Sequence, residues 1–376
     1  MTCAATASFQ SAERLSGRSF LLDLLKAVGC VLIVLHHLAF YGPMSDVVHE
    51  AWPGLIDWLS EYGRLAVQLF LVCSGYLTAS ALMRRPQMDF HRMGHLLLRR
   101  YLRLAIPLLG ALAMTVLVTE ALRPHFDHPS LSASPDGEQL REREALSAGV
   151  WYVAIDFQLY LIVLVVLWTA TTCARLWPAW RAQALPLQLV LGLTIASLLI
   201  WNLNPDLDLY GMYFFGAYGM GWLAFRARQS RMPPKGWAIL ILLGLLALWM
   251  DPRWRITTAW ACALLLAAAP LSWVRPVSTA SGWKAAVTWL AERSYSVFVI
   301  HFAIGLMVSA TVSHLWPTQL LGNALGMLAA LVLSILAGAG LYRLAEQPAA
   351  TGPRWLAWCA TFLTSGLLAM ALAGSG

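Results

Sequence analysis

Charge is scarce in this chain. Asp, Glu, Lys and Arg make up 12% of its 376 residues, while 59% are hydrophobic. That shortage excludes a soluble globular domain and, with a mean hydropathy of +0.64, describes a polytopic membrane protein. The remaining charge is unbalanced, at +7. Its basic residues cluster in the gaps between apolar runs, which is a matter of topology, and no nucleic-acid partner is expected. Cysteine pairing is also lacking. The six cysteines, Cys3, Cys30, Cys73, Cys173, Cys262 and Cys359, are scattered without a CxxC, so neither a disulfide framework nor a zinc site is supported, and they read as packing residues. No HExxH, Walker A, GxSxG or dinucleotide fingerprint stands in a supporting context. The histidines are dispersed over several helices, so no metal and no bound cofactor is expected. There is no fixed-period repeat and no sign of a fused soluble domain.

What the chain has in quantity is long apolar runs, at about 20–41, 63–83, 103–122, 149–172, 186–202, 209–225, 237–250, 256–273, 286–310, 319–341 and 355–373. The expected fold is an all-α polytopic membrane protein, with a ten-helix core over 20–348 and an eleventh, accessory C-terminal helix within 349–376. Many of the 18 Trp lie near the ends of these runs, as interfacial anchors do. Residues 1–19 are polar and lack a small-residue cleavage site, so the first helix reads as a retained signal-anchor. With that N-terminal segment in the cytoplasm, 20 of the 26 Lys and Arg fall on the cytoplasmic side, 6 outside. Arg64, Arg123, Arg141, Arg143, Arg253 and Arg255 are the external ones. The largest external loop, 123–147, is too short to fold alone and too polar for the bilayer.

Ionisable residues inside such runs cost roughly 2.5–3.5 kcal/mol each, and a chain keeps them when they line a polar cavity. The first run carries Asp23, Lys26, His36 and His37. At about 100° per residue, Lys26 and His37 share a helix face about 16 Å apart, and Asp23 joins it one turn earlier. His37 on this stripe reads as a catalytic or relay imidazole. Asp23 and Lys26 are either an ion pair or substrate contact, or a snorkelling anchor at the membrane edge. His36 points about 100° away and reads as a packing residue.

Four more constellations follow. Arg84 and Arg85 precede Arg99, Arg100 and Arg103, with Arg100 and Arg103 one turn apart at the mouth of the third helix, where guanidinium forks suit phosphate. Asp156 and Gln158 lie well inside the fourth run, where a carboxylate faces a cavity or pairs with a cation. His301 closes the stretch Ser294-Tyr-Ser-Val-Phe-Val-Ile-His301 about mid-span, as either a packing residue or a ligand. Arg343-Leu-Ala-Glu346-Gln-Pro348 reads as a helix stop at the cytoplasmic face.

Taken in order, these segments resemble the acyltransferase-3 family of bacterial integral-membrane O-acyltransferases. Lys26 with ten residues to His37 is similar to the family's opening basic-x10-His pattern. Gly63-Arg-Leu-Ala-Val-Gln-Leu-Phe-Leu-Val-Cys-Ser-Gly-Tyr76 resembles its second-helix run. Arg99-Arg100-Tyr-Leu-Arg103 with Pro107, Trp151 to Tyr160, Ser294 to His301, and Glu346-Gln-Pro348 resemble four further signatures. Lys26 stands where the family usually has Arg, which keeps the charge and loses the bidentate fork. Asp156 stands where Glu is usual, one methylene shorter. The family's common extracellular hydrolase-like module has no counterpart here.

The resemblance implies O-acyl transfer, most often acetyl from acetyl-CoA, to a hydroxyl of a carbohydrate or glycoconjugate of the envelope or a secreted molecule, in the bacterial inner membrane. Carried onto this chain, His37 becomes the general base or an acyl relay, with Lys26 and Asp23 orienting the site or polarising the thioester. Arg100 and Arg103 would hold the CoA phosphates, and Asp156 and His301 would contact the acceptor. Acyl-CoA is a donor substrate here, the lipid bilayer surrounds the chain, and a separate periplasmic acyl-transfer partner stays open. The competing expectation is a secondary transporter with a polar mid-membrane site, against which stand the lack of an inverted repeat and of paired, broken helices.

Overall fold

The computed structural model describes residues 19–83, 87–126, 149–176, 185–229, 233–269 and 282–373. Among these residues all regular structure is helical. In chain order the helices are α1 (Phe20–Phe40), α2 (Met44–Ala51), α3 (Pro53–Tyr62), α4 (Ala66–Leu82), α5 (Phe90–Phe126), α6 (Val150–Leu176) and α7 (Leu185–Leu199). They continue with α8 (Gly211–Gln229), α9 (Pro233–Met250), α10 (Trp254–Ala268), α11 (Trp283–Leu315), α12 (Leu320–Leu341) and α13 (Gly352–Ala373). Each of the eleven apolar runs holds a helix among the described residues, so the chain is an all-α polytopic membrane protein. Most of the 123–147 loop, and Arg84 and Arg85, lie outside the described residues.

Eight helical segments are long and apolar enough to cross a membrane, including α3 and α4 taken together as Pro53–Leu82. The apolar stretches of α9 and α10, Gly236–Met250 and Trp254–Ala268, are shorter, and α8 is not among the eight. Its glycines and tyrosines lower its hydropathy, but α8 is buried along nearly its whole length, so it presents almost no surface that lipid would have to cover. Two boundaries differ from the sequence expectation. α5 begins at Phe90, not near 103, so Arg92, Arg99, Arg100 and Arg103 lie within the helix rather than at its entry. α11 runs on to Leu315. An apolar scan reports where lipid-like sequence starts, whereas the backbone keeps its hydrogen bonds through adjoining Arg, Leu and His, all compatible with a helix.

The helices form two compact units. The first holds Met1–Gly29, Val67–Leu98 and Ala154–Ala291, the second Cys30–Ala66, Arg99–Val153 and Glu292–Gly376. In the first, α8 packs against α7, α9 and α10. Its contacts with α4 and α7 are backbone-close. A Cβ on Gly75 would lie 1.9 Å from the Tyr218 carbonyl oxygen, one on Gly221 2.0 Å from that of Val72, and one on Gly219 2.0 Å from Thr194 Oγ1. Only glycine allows this approach, and it opens the gap to polar ties. Tyr218 donates to Thr78 Oγ1 at 2.7 Å, and Ser197 Oγ donates to the Tyr213 carbonyl at 2.9 Å while accepting from Gly216 N at 2.8 Å. Cys73 and Cys262, far apart in sequence, come within thiol hydrogen-bonding reach, both buried and both free.

In the second unit α11 and α12 run antiparallel with small residues between them. A Cβ on Gly338 would meet Val297 at 2.4 Å, and one on Gly326 would meet Met44 Sδ at 2.8 Å and Val312 at 2.9 Å. α2 packs on α12, and α3 returns the chain toward α1 through its Leu59 carbonyl. There His36 is buried: its Nδ1 lies 3.1 Å from the Leu59 carbonyl oxygen, and a Cβ on Gly63 would stand 2.8 Å from its own Cβ. The glycine that opens the second-helix run thus lets α1 and the short helical turn Gly63–Leu65 touch over an imidazole.

Candidate active site

In the second unit α1 and α11 bring His37 and His301 together across 264 residues of sequence, with His37 Nδ1 and His301 Nε2 2.9 Å apart. The rings stack at 4.9 Å between centroids, 25° between planes. His301 is 2% exposed, and its Nδ1 lies 2.6 Å from the Phe298 carbonyl oxygen, one turn back on its own helix. That contact sets the protons. A carbonyl oxygen only accepts, so His301 Nδ1 carries hydrogen, and neutral His301 offers a lone pair at Nε2. His37 must then donate from Nδ1, which leaves the lone pair of neutral His37 on Nε2. The pair therefore delivers a base of fixed tautomer.

Aromatic rings hold His37 in this pose. Tyr41, one turn on, stacks at 5.7 Å and 16°, and Phe302 meets Tyr41 edge-on at 5.6 Å. Phe298 is in turn braced edge-on by Tyr152 at 5.2 Å. Tyr41 is the i+4 neighbour of His37, the one signal by which the sequence could have marked it. Both ring nitrogens of His301 are engaged, so none is left for an acceptor hydroxyl. In this geometry His301 is placed to orient His37, and the acceptor contact that the resemblance implied for it finds no free ring nitrogen here. Replacing His301 by alanine should lower kcat about 10–100-fold with little change in KM, because the fixed tautomer is lost. His301→Gln, whose carbonyl oxygen can take the His37 proton, should recover part of the rate; steady-state kinetics of the three proteins checks this.

The other expected residues fall into two groups. Arg100 and Arg103 belong with His37 and His301 to the second unit, and Asp23, Lys26 and Asp156 to the first. Arg103 is exposed and Arg100 half-buried on α5. Just beyond them Pro107 cannot donate to the Arg103 carbonyl, and Tyr295 of α11 donates to the Leu104 carbonyl at 2.6 Å, fixing α5 against α11. Asp23 accepts a hydrogen bond from Thr288 Oγ1 at 3.3 Å. Among the described residues Lys26, half-buried, makes no ion pair, so the Asp23–Lys26 pairing is not formed. Asp156, 4% exposed, accepts from Ser74 Oγ at 2.7 Å, and Gln158 Oε1 accepts from Gly211 N at 2.8 Å.

Glu346 is the residue whose place the sequence obscured. It reads there as part of a helix stop. In the structure α12 ends in a π-helical turn, Tyr342–Glu346, closed by Gln347 N donating to the Tyr342 carbonyl at 2.7 Å. This wider turn re-aims the carboxylate inward, where it accepts from Ser296 Oγ at 2.7 Å. Arg293 stacks over the Tyr342 ring at 4.8 Å. Nothing in the apolar pattern announces a π turn. Among the described residues no group of three or more His, Cys, Asp or Glu side chains is placed to hold a metal ion.

The geometry offers a half-buried, oriented imidazole on α1 and, on α5, two guanidinium groups one turn apart in sequence. A family model described as an acyltransferase domain matches residues 21–343 of the chain. No curated protein and no solved structure gives a match.

Proposed function

The chain belongs to the acyltransferase-3 family, and from that premise we propose that it moves an acetyl group from acetyl-CoA to a hydroxyl of a carbohydrate-type acceptor. The observation that carries this reading is the His37–His301 hydrogen bond with its proton order imposed by the Phe298 carbonyl. His37 Nε2 takes the proton of the acceptor hydroxyl as its oxygen attacks the thioester carbonyl. The tetrahedral intermediate then collapses, the carbon–sulfur bond breaks, and the CoA thiolate leaves with the proton that His37 returns. Atoms and charge balance with no net proton released. Imidazole suits both halves, because its ordinary pKa lies near neutrality. The family resemblance gives Lys26 and Asp23 the part of polarising the thioester and Asp156 that of binding the acceptor, all three residues of the first unit.

Arg100 and Arg103 hold CoA phosphates by charge-assisted hydrogen bonds. The orientation that follows has the N-terminus in the cytoplasm of a bacterium, the donor taken from the inner face of its inner membrane, and the acceptor met nearer the outer face. Because Arg103 is exposed, Arg103→Ala should leave folding intact and raise the KM for acetyl-CoA about 10-fold or more at near-constant kcat. An unchanged KM removes this residue from the donor site.

The test uses full-length protein purified in detergent, acetyl-CoA, and a panel of glycosides. Thiol release that depends on a glycoside, with the acetyl group recovered on it, is the expected result. Gradient-driven solute uptake without thiol release would overturn the reading in favour of a transporter.

A further inference from the structure

The turn between α9 and α10 in the first unit carries two arginines that the acyl-transfer chemistry does not use. Arg253 Nη1 donates to the Asn202 carbonyl oxygen and, at 2.7 Å, to Asn202 Oδ1. Arg255 Nη2 donates to the same carbonyl at 3.2 Å. Two guanidinium groups therefore converge on one neutral oxygen. Asp251 Oδ2 lies 3.0 Å from Arg253 Nε. Arg255 faces the Tyr213 ring at 4.9 Å, and among the described residues no carboxylate pairs with it. The exposed Asp206 and Asp208, in the turn that leads into α8, pair with neither arginine. The local sum is two cations against one carboxylate.

Burial sharpens the imbalance. The Arg253 side chain is 16% exposed, and its Nη2 is buried without a hydrogen-bond partner. Buried donors are nearly always satisfied, and one on a charged group is costly to leave open. Desolvation and, after it, the neighbouring Arg255 both push the Arg253 pKa below the ordinary arginine value, with Asp251 working the other way. An arginine that only braced the turn would need its bonds to Asn202 and its ion pair with Asp251 and nothing more. The open Nη2, beside a second guanidinium with unused donors, asks for an acceptor that carries negative charge.

We propose that Arg253 and Arg255 form a phosphate-type oxyanion site at the α9–α10 turn. Tetrahedral oxyanions suit it because two forks can each donate to different oxygens. In the orientation proposed above this turn faces outward, so the phosphate would be one carried by the glycoconjugate acceptor or by an outer-leaflet lipid. That assignment of source rests on the proposed function, whereas the site itself does not.

Full-length protein in detergent is melted in a titration of inorganic phosphate at constant ionic strength, with chloride as the balancing anion, beside Arg255→Gln and Arg255→Lys. The expected result is a saturable rise in Tm of about 2–4 °C in the parent protein, lost in Arg255→Gln and reduced in Arg255→Lys. The unliganded Tm of each variant reports that it folds. A parallel arm melts the protein in nanodiscs of phosphatidylglycerol or phosphatidylcholine. A rise with phosphatidylglycerol alone assigns a lipid headgroup, and a rise with inorganic phosphate assigns a phosphate that need not be lipid-borne. No preference for phosphate over chloride together with none for phosphatidylglycerol, or an equal rise in Arg255→Gln, overturns the site. No step of this measurement needs acyl transfer, so its failure and that of the proposed reaction stay separate.

Discussion

Replacing His37 by asparagine is expected to lower acyl transfer about 10²–10⁴-fold, the range for losing a general base, with little change in melting temperature. Asparagine is the informative choice because its amide N–H can still donate to His301 Nε2, where His37 Nδ1 now lies at 2.9 Å. The link between α1 and α11 is kept while the basic lone pair is lost. Alanine at the same position should remove both, with a similar rate and a lower Tm. Initial rates of thiol release from acetyl-CoA, with melting curves on the same preparations, decide the matter. Retention of more than about a tenth of the parent rate in His37→Asn is incompatible with a base at this position.

The largest effect on stability is expected at Gly75. A methyl there would sit 1.9 Å from the Tyr218 carbonyl oxygen, and both partners are helix backbone, so neither can step aside without moving a helix. Overpacking of ordinary cores costs about 1–3 kcal/mol and more where the obstacle is rigid. Gly75→Ala should fall at or beyond the upper end and prevent recovery of monodisperse protein, and Gly221→Ala, 2.0 Å from the Val72 carbonyl oxygen, should behave alike. Gly192→Ala on α7 is the control, since nothing lies within 4 Å of a Cβ there. It should be neutral or slightly stabilising, as removing a helical glycine usually is. Size-exclusion profiles after extraction compare the three. A well-folded Gly75→Ala protein would show that α4 and α8 are not in backbone contact.

The helical framework was plain in the sequence, because an apolar run of sufficient length has few alternatives in a bilayer. The extent of α5 was not, since hydropathy marks only its lipid-like part and passes over Phe90 to Leu102. Of the site, His37 could be singled out from its face and neighbours on one helix. Its bond to His301 could not, because no local pattern states which of two helices 264 residues apart will meet, nor at what register. Ser74 beneath Asp156 and Thr288 beside Asp23 were hidden for the same reason. Glu346 was hidden differently: its role depends on a π turn, a backbone event with no period of its own. The Arg253–Arg255 pair was visible only as two external charges until the fold placed Asn202 between them.

A main-chain oxygen, that of Phe298, decides the proton order of the histidine pair. Hydrolases that orient a histidine commonly do so with a carboxylate, whose fixed negative charge also steadies the imidazolium. Here the orienting group is neutral, which suits a low-dielectric interior where an added carboxylate would be expensive. In the proposed reaction the protonated ring consequently has no counter-ion from that direction and is a short-lived species. Proton capture from the alcohol and its return to sulfur would then be closely timed, and bond cleavage should show a marked solvent isotope effect. Substitutions at 298 that keep the helix would leave this device intact, since it belongs to the peptide bond and not to the phenyl ring.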